Sequence, residues 1–284
     1  MEKYYCFAGL ELAIYAPDVW MYTEERTLEP FRTDTVADPH RFTFEMVEAL
    51  TPPCGEHITT QDNFVVYREV DGQVRYTGAV AGNWEKAYLR VAHNGKNHSA
   101  QMKAETYRNG MSAKTVLNAV EAEHLIARNG GFVFHSSYIR VGNQAVLFTA
   151  PSGTGKSTQA GLWHTYRKAE IINGDRSAVR CTDDGVFACG IPFAGSSEIC
   201  KNVTLPLAAI VYLKQAPQTT IRRLRGAESF RRIWEGCSVN TWDRIDVAQV
   251  SETVSNVLMA VPVYELACTP DESAILALEG VLKE

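Results

Sequence analysis

Apolar and polar residues alternate along much of the first third of the chain, a pattern that indicates half-buried β-strands. It predicts these strands: 64–70, 73–78, 87–92 and 99–107. The pair Asp71-Gly72 between the first two is typical of a tight hairpin turn. A short helix is expected over 42–50, before Pro52. Residues 1–110 are therefore interpreted as a β-rich N-terminal α+β domain.

The pattern changes after residue 110. Apolar residues recur at helical spacing over 113–128, with Ser112 as the expected N-cap and Gly130 at the end. Strands are then predicted over 132–139, 144–150, 169–173, 177–180, 186–189, 207–213 and 263–266. Helices are predicted over 157–166, 227–235, 247–259 and 271–282. Because strands and helices alternate, residues 111–284 are interpreted as an α/β domain.

Composition excludes several classes of protein. Hydrophobic residues make up 45% of the 284, enough for a sizeable core, and the net charge of −5 argues against a surface built for nucleic acid. No apolar run is long enough to span a membrane, and the N-terminus lacks a signal-peptide pattern. The seven cysteines form no C-x-x-C pair, so we expect reduced thiols and a cytoplasmic protein.

The most specific motif is Ala-Pro-Ser-Gly-Thr-Gly-Lys-Ser-Thr over 150–158, between a predicted strand and a predicted helix. It matches the phosphate-binding loop (P-loop) at its Gly-Lys-Ser run, and Ala150 replaces the first glycine. Backbone N–H groups of such a loop surround a phosphate, the lysine neutralises charge, and the serine hydroxyl binds Mg²⁺. The expected nucleotide-binding residues are Ser152, Gly153, Thr154, Gly155, Lys156, Ser157 and Thr158. The motif leaves open whether the nucleotide is ATP or GTP.

Three further residues are candidates for the chemistry. His135 lies on the strand before the loop strand, Asp175 ends an apolar strand after the loop, and Glu198 follows a second Gly/Ser-rich segment. A carboxylate at the end of a neighbouring strand could orient an acceptor hydroxyl and take its proton. Each residue also has a structural interpretation: a core histidine, a turn aspartate and a solvated loop acid.

Two basic features remain ambiguous. Lys201 could reach a phosphate, or it could be an ordinary surface lysine. The densest basic run could clamp a phosphoryl group or an acidic substrate, or form a solvated face paired with glutamates, the interpretation we favour. Its members are Arg222, Arg223, Arg225, Arg231 and Arg232.

The order of His135, the P-loop and Asp175 resembles the catalytic domain of HPr kinase/phosphorylase, in the phosphoenolpyruvate carboxykinase-like group of P-loop proteins. The resemblance covers roughly residues 112–270. It implies a P-loop kinase domain preceded by the β-rich domain, and transfer of the γ-phosphoryl of ATP (or GTP) to a serine hydroxyl with Mg²⁺. Where the family has an acidic pair, this chain has Asn173-Gly174-Asp175.

The resemblance also implies residue roles. Asp175, His135 and Lys156 would be catalytic, and Ser157, Asp175 and Glu198 would hold the metal. The chain offers no match to the family's basic substrate loop, so the acceptor is left as a serine-bearing protein, peptide or small molecule. A homo-oligomer is expected, with no nucleic-acid or membrane partner. Two alternatives are a nucleotide-responsive binding protein with little turnover and a carboxykinase-like enzyme, whose additional metal ligands are not found.

Overall fold

The computed structural model describes residues 2–16, 27–107 and 113–282. Over these residues the chain is a mixed α/β structure with two large β-sheets. It divides into two compact units: Met1–Cys6 with Leu10–Ala122, and Phe7–Gly9 with Glu123–Glu284. No helix in the described part of the chain combines the length and apolar character that a membrane crossing requires.

The first sheet is formed by nine strands in the described residues. Their bounds are β1 Glu2–Phe7, β2 Leu10–Tyr15, β3 Arg32–Thr33, β4 His40–Val47, β5 Glu56–Gln61, β6 Phe64–Glu69, β7 Gly72–Thr77, β8 Leu89–Asn94 and β9 Asn97–Lys103. The order across the sheet is β3-β1-β2-β4-β9-β8-β7-β6-β5. The predicted hairpin is confirmed, because β6 and β7 pair antiparallel and Gly72 has a φ of 145°.

The predicted helix over 42–50 is wrong, because residues 40–47 form strand β4. Phe42 and Phe44 are buried, whereas the residues that alternate with them, Arg41, Thr43 and Glu45, are exposed. This alternation has the period of a strand, and β4 pairs in parallel with β9. The two buried phenylalanines lie two residues apart, which indicates a strand, whereas the apolar face of a helix repeats every three to four residues.

Two other predictions need correction. The strand expected over 99–107 ends at Lys103, where alternate burial stops, and helix α1 follows over Ala104–Tyr107. The single helix expected over 113–128 is two helices, α2 Ala113–Val120 and α3 Ala122–Arg128. The predicted cap Ser112 lies outside the described residues.

The break between α2 and α3 lies at Glu121, whose φ of 50° is left-handed. The Glu121 carboxylate is buried, 3.0 Å from His93 Nε2 and 3.2 Å from an Arg75 Nη1. The residue at the break thus carries the side chain that makes both contacts. The helical spacing of the sequence gave no sign of it.

The second sheet and its helices largely follow the predicted order. The strands are β10 Gly131–Val141, β11 Gln144–Thr149, β12 Glu170–Asn173, β13 Arg176–Thr182, β14 Gly185–Gly190, β15 Thr204–Gln215, β16 Thr220–Leu224, β17 Cys237–Ser238 and β18 Val263–Cys268. The helices are α4 Lys156–Arg167, α5 Gly226–Trp234, α6 Arg244–Ala260 and α7 Glu272–Leu282. The main strand order is β11-β10-β13-β14-β15-β18-β16, and β11 also pairs with β15.

Strand β11 is buried on both faces, as its unbroken apolar sequence predicts. Ala145 and Leu147 face a core that includes side chains of α5 and α6. Val146 and Phe148 face another core, which includes side chains of α4 and α7. Full burial of each larger side chain contributes about 1.5–3 kcal/mol, so the position of β11 is strongly fixed from both sides.

The second sheet is mixed rather than wholly parallel. Among the described strands of this sheet, β11 pairs in parallel with β15, and β15 pairs in parallel with β18. The pairings of β10 with β11 and of β14 with β15 are antiparallel. The carboxyl ends of the three parallel strands therefore lie side by side, and the Gly-rich loop leaves the sheet there.

A buried ionic network joins α3 to the start of α6. Asp246 is 1% exposed, and its carboxylate accepts hydrogen bonds from His124 Nδ1 at 2.7 Å and Arg128 Nε at 2.8 Å. Arg128 also donates to Asp243, which caps the first turn of α6. Asp243, Asp246 and His124 offer three closely spaced ligand atoms, but the Arg128 guanidinium already pairs with both carboxylates, which favours an ion-pair network over a metal site.

We expect Asp246→Asn to lower the free energy of unfolding by about 3 kcal/mol, because it removes the buried charge that His124 and Arg128 share and leaves Arg128 with Asp243 alone. Equilibrium urea unfolding at pH 7 would measure this, with Glu252→Gln on an exposed position of the same helix as the control. A loss no larger than that of the control would contradict the prediction.

The difference in stability between the wild type and Asp246→Asn should also depend on pH. Burial acts to raise the pKa of Asp246, but His124, Arg128 and Asn240 outweigh it and hold that pKa below its usual range. A lowered folded-state pKa stabilises the protein above the unfolded-state pKa of about 3.9. The difference between wild type and Asp246→Asn should therefore shrink as the pH falls below that value.

Candidate functional site

The loop between β11 and α4 carries the conformation that its glycines predict. Gly153 has a φ of 78° and Gly155 a φ of 119°, values that other residues rarely adopt. A Cβ on Gly153 would meet nothing within 4 Å, so its backbone conformation, not crowding, requires glycine there. Helix α4 begins at Lys156 without a side-chain cap. The first helical hydrogen bond is donated by the Gln159 N–H to the Gly155 carbonyl oxygen, so the N–H groups of the three residues before it are suited to an anion.

The ammonium of Lys156 is held against the loop itself. Lys156 is 7% exposed, and Nζ donates to the carbonyl oxygen of Ala150 at 3.1 Å. Burial lowers the pKa of Lys156, and the negative charge of Asp175 opposes that effect. A positive charge thus lies inside the loop, where it would be better stabilised by a neighbouring anion.

His135 and Asp175 meet beside the loop. His135 Nε2 on β10 lies 3.4 Å from an Asp175 Oδ1, and each side chain is 36% exposed. Burial and the charges of Lys156 and Arg176 lower the pKa of His135, while Asp175 raises it; the net pKa is lowered. The imidazole is therefore mostly neutral at pH 7, with the carboxylate beside it.

Asn173 holds Asp175 in place, a role that the sequence analysis did not foresee. Its buried side-chain oxygen accepts from the backbone N–H groups of Asp175 and Arg176, both at 3.2 Å. Its amide nitrogen donates to the carbonyl oxygen of Ile191 at 2.7 Å. The one sign of this role in the sequence was the run Asn-Gly-Asp. An asparagine side chain often accepts a hydrogen bond from the backbone N–H two residues further along the chain.

The second Gly/Ser-rich segment packs against the same turn. A Cβ on Gly174 would lie 2.0 Å from Ser197 Oγ, and one on Gly195 would lie 2.6 Å from Asp175 Cβ. Neither position leaves space for a side chain. This segment therefore lies directly beside Asp175.

The three candidate metal ligands are not all brought together. Ser157 Oγ lies 3.4 Å from the carbonyl oxygen of Gly174, next to Asp175. Glu198 is exposed, with a left-handed φ of 54°, at the end of the turn Gly195–Ser197. Within the described residues, it shares no cluster of three closely spaced ligand groups with Asp175. Ser157 and Asp175 thus remain the better-placed pair of oxygen ligands.

Two cavities flank the loop. One, of about 520 Å³, is lined by Gly155, Thr158 and Gln159 at the start of α4 and by residues at the ends of β15 and β18. The other, of about 410 Å³, is lined by Pro151 to Thr154, by the end of β15 and by Arg232. Both lie where the parallel strands end, which is where α/β sheets place ligands.

Several of the other basic candidates have partners on the protein itself. Lys201 Nζ bonds to Glu170 at 2.7 Å, and Arg222 bonds to Glu228 and Glu265. Arg232 donates to the Tyr212 hydroxyl at 3.2 Å and stacks 4.4 Å from its ring. Of these three, only Arg232 lines a cavity beside the loop.

Comparison with known proteins adds little to this geometry. No family model matches the sequence, and no curated protein matches it. Among solved structures, the chain is similar to the Hpr(Ser) kinase/phosphatase from Coxiella burnetii, with 11% identity over 53% of this chain and 88% of that chain and a TM-score of 0.31. A likeness at this level carries no argument, so the family resemblance stays a prediction from the motifs.

The charges around His135 give a testable prediction. Because Asp175 raises the pKa of His135, Asp175→Asn should lower it further. Because Lys156 lowers it, Lys156→Ala should raise it. NMR titration of the imidazole, without nucleotide or added metal, would measure both shifts. An unchanged pKa in both variants would contradict the proximity of the three groups.

Proposed function

We propose that residues 111–284 form a P-loop nucleotide-binding domain of the HPr kinase type, and that it transfers the γ-phosphoryl of a nucleoside triphosphate to a serine hydroxyl. The proposal rests on one observation. The buried ammonium of Lys156 lies within a loop of left-handed glycines, and its charge acts on the adjacent His135–Asp175 pair. An anion-binding loop beside a carboxylate and an imidazole suits phosphoryl transfer.

The residues present fit a nucleotide and Mg²⁺. The uncapped first turn of α4 and Lys156 would hold the phosphates, with Ser152 and Thr158 exposed at either end of the loop. The Ser157 hydroxyl and the Asp175 carboxylate supply oxygen ligands of the kind that Mg²⁺ prefers. A bound Mg²⁺ would neutralise charge on the β- and γ-phosphates. Glu198 has no contact that supports a share in this site.

The transfer step needs few protein groups. The serine oxygen forms a bond to the γ-phosphorus, the bond from that phosphorus to the β–γ bridging oxygen breaks, and the nucleoside diphosphate leaves. The hydroxyl proton passes to Asp175, which acts as the base. His135, neutral and next to Asp175, would orient that carboxylate. Lys156 would stabilise the charge that develops on the phosphoryl oxygens.

The acceptor is a serine-bearing protein, peptide or small molecule, and the β-rich N-terminal unit would serve its recognition. The alternative is a nucleotide-responsive binding protein with little turnover. The two functions share the loop and differ in what Asp175 does. Nucleotide binding by the wild type without transfer to any acceptor would favour the alternative.

Removal of the loop lysine tests the nucleotide site. We expect Lys156→Ala to weaken binding of Mg-ATP by about tenfold to a hundredfold, since charged hydrogen bonds contribute about 1.5–3 kcal/mol. Isothermal titration calorimetry would measure this, with Lys201→Ala as the control because Lys201 bonds to Glu170. Equal affinities for wild type and Lys156→Ala would exclude the loop as the phosphate site.

Removal of the proposed base tests the reaction. Asp175→Asn should retain most nucleotide binding and lose about 100- to 10,000-fold in transfer rate, the range for a general base. The assay uses γ-labelled ATP with free serine, HPr and cell proteins as acceptors. Asp183→Asn, at an exposed position between β13 and β14, is the matched control. Transfer by Asp175→Asn at the wild-type rate would remove Asp175 from this role.

A further inference from the structure

A third cavity, also of about 410 Å³, lies at the opposite end of the parallel strands from the P-loop. Val263, the first residue of β18, lines it, whereas Cys268, the last residue of that strand, lines a cavity beside the loop. At about 3.3 Å per residue, these two ends of β18 are about 16 Å apart. The third cavity, which we call the β16 cavity because the end of β16 borders it, therefore lies outside the site proposed for phosphoryl transfer.

Two arginines of the β16 cavity have no ionic partner. Arg223 and Arg225 both line the cavity and are exposed. Neither makes a salt bridge or a side-chain hydrogen bond with any residue that the structure describes. The rest of the basic run differs, because Arg222, Arg231 and Arg232 each lie within 4.0 Å of a glutamate carboxylate. No aspartate or glutamate is among the described residues that line the cavity, so its two positive charges are not balanced there.

The other side chains of the β16 cavity are largely apolar. Leu224, Val261 and Val263 line it and are buried. Met259, close to the end of α6, also lines it and is 80% exposed. Methionine and arginine are enriched at protein interfaces, whereas aspartate and glutamate are depleted. An exposed methionine in one cavity with two unpaired arginines is therefore the composition of a surface that a protein partner covers.

Strand β16 also has an unpaired edge. It is the last strand in the main order of the second sheet, and among the described strands it pairs with β18 alone. Backbone N–H and C=O groups of alternate residues therefore point away from the sheet without a partner strand. An extended peptide can pair with such an edge as an added strand. Because Arg223 and Leu224 belong to β16 and line the cavity, a peptide on this edge would pass the cavity.

We propose that the edge of β16 and the β16 cavity bind an extended segment of a partner protein in which acidic and apolar residues alternate. Successive residues of a strand face opposite sides of a sheet, so Arg223 and Leu224 give the two faces of β16 different chemistry. Leu224 belongs to the core that side chains of α6 share. Acidic side chains of the added strand would lie on the Arg223 face, and its apolar side chains on the Leu224 face, where the end of α6 presents Met259.

Two other occupants fit this surface less well. A second copy of β16 would bring Arg222 and Arg223 close to the same residues of the first copy, and like charges on paired strands destabilise a sheet. A small carboxylate could pair with an arginine, but it would leave the edge of β16 and Met259 uncovered. An acidic, extended segment satisfies the charges, the backbone edge and the methionine together. The inference does not depend on the proposed function, since no P-loop residue takes part.

The experiment measures binding of fluorescent peptides to the full chain by anisotropy. In the first peptide leucine and glutamate alternate, in the second serine replaces leucine, and in the third lysine replaces glutamate. One variant combines Arg223→Gln with Arg225→Gln, and another is Met259→Ser. The control is Arg231→Gln, because Arg231 is an exposed arginine of the same basic run that does not line the cavity. All four side chains are exposed, so each variant should keep the fold.

We expect the leucine–glutamate peptide to bind the wild type and Arg231→Gln equally, and to bind the double arginine variant and Met259→Ser about tenfold more weakly. The other two peptides should bind the wild type at least about tenfold more weakly than the first. The inference is overturned if the first peptide does not bind, if the serine–glutamate peptide binds equally well, or if Arg231→Gln weakens binding as much as the double variant.

Two further measurements identify the other occupants. Displacement of the peptide by an equal concentration of octanoate would assign the cavity to a small carboxylate. A wild type that forms dimers in sedimentation velocity, with Met259→Ser a monomer, would assign the surface to a second copy of the chain. Either result would overturn the inference, and neither bears on the proposed function, which Lys156→Ala and Asp175→Asn test separately.

Discussion

The burial of β11 on both faces is the constraint on which the candidate site depends. Its side chains alternate into two different cores, so the strand can neither rotate nor slip by one residue without exposing one of those sets. The loop begins at the end of this strand, and α4 returns to pack Ala160 and Trp163 into one of the same cores. Both ends of the loop are therefore anchored, and its glycines turn the chain between them.

The position of Asp175 is also fixed by buried contacts, but here the contacts are hydrogen bonds. Asn173 is fully buried and uses both ends of its amide, one toward Ile191 and the other toward the turn that carries Asp175. Ser136 adds a backbone hydrogen bond to the carbonyl oxygen of Asp175 at 3.0 Å. The Asp175 side chain, which is 36% exposed, is thus attached to a backbone held by several hydrogen bonds, an arrangement that suits the proposed base.

Much of the second unit could be predicted from its sequence because its elements are long and strongly periodic. The strand over 144–149 and the helix over 156–167 are examples, and the loop between them follows from its glycines. The failures have other causes. Pro52 and Pro53 suggest the end of a helix, which obscures the strand at 40–47 although its apolar residues alternate. The break at Glu121 depends on contacts with His93 and Arg75, which are distant in sequence.

The candidate site, too, could be predicted only in part from the sequence. The sequence indicated Lys156, His135 and Asp175, because each lies in or next to an element with a clear pattern. It could not indicate which of the remaining candidates converge. Glu198 and Lys201 lie in a segment without regular periodicity, and the structure leaves the first exposed and pairs the second with Glu170. Asn173 escaped notice because its role depends on burial, which the residue type does not predict.

The charges around the loop favour the protein with a bound anion over the protein without one. Burial lowers the pKa of Lys156, and burial together with the charge of Lys156 lowers the pKa of His135, so the surroundings destabilise the protonated form of each side chain. Asp175 is the carboxylate that opposes both effects, and it also lies 3.7 Å from Arg176 Nε. Arg176 also pairs with Glu123 at 3.4 Å, and His135 is mostly neutral, so the cation that depends on Asp175 is Lys156. An anion held by the first turn of α4 would place a second negative charge beside the buried Lys156 ammonium.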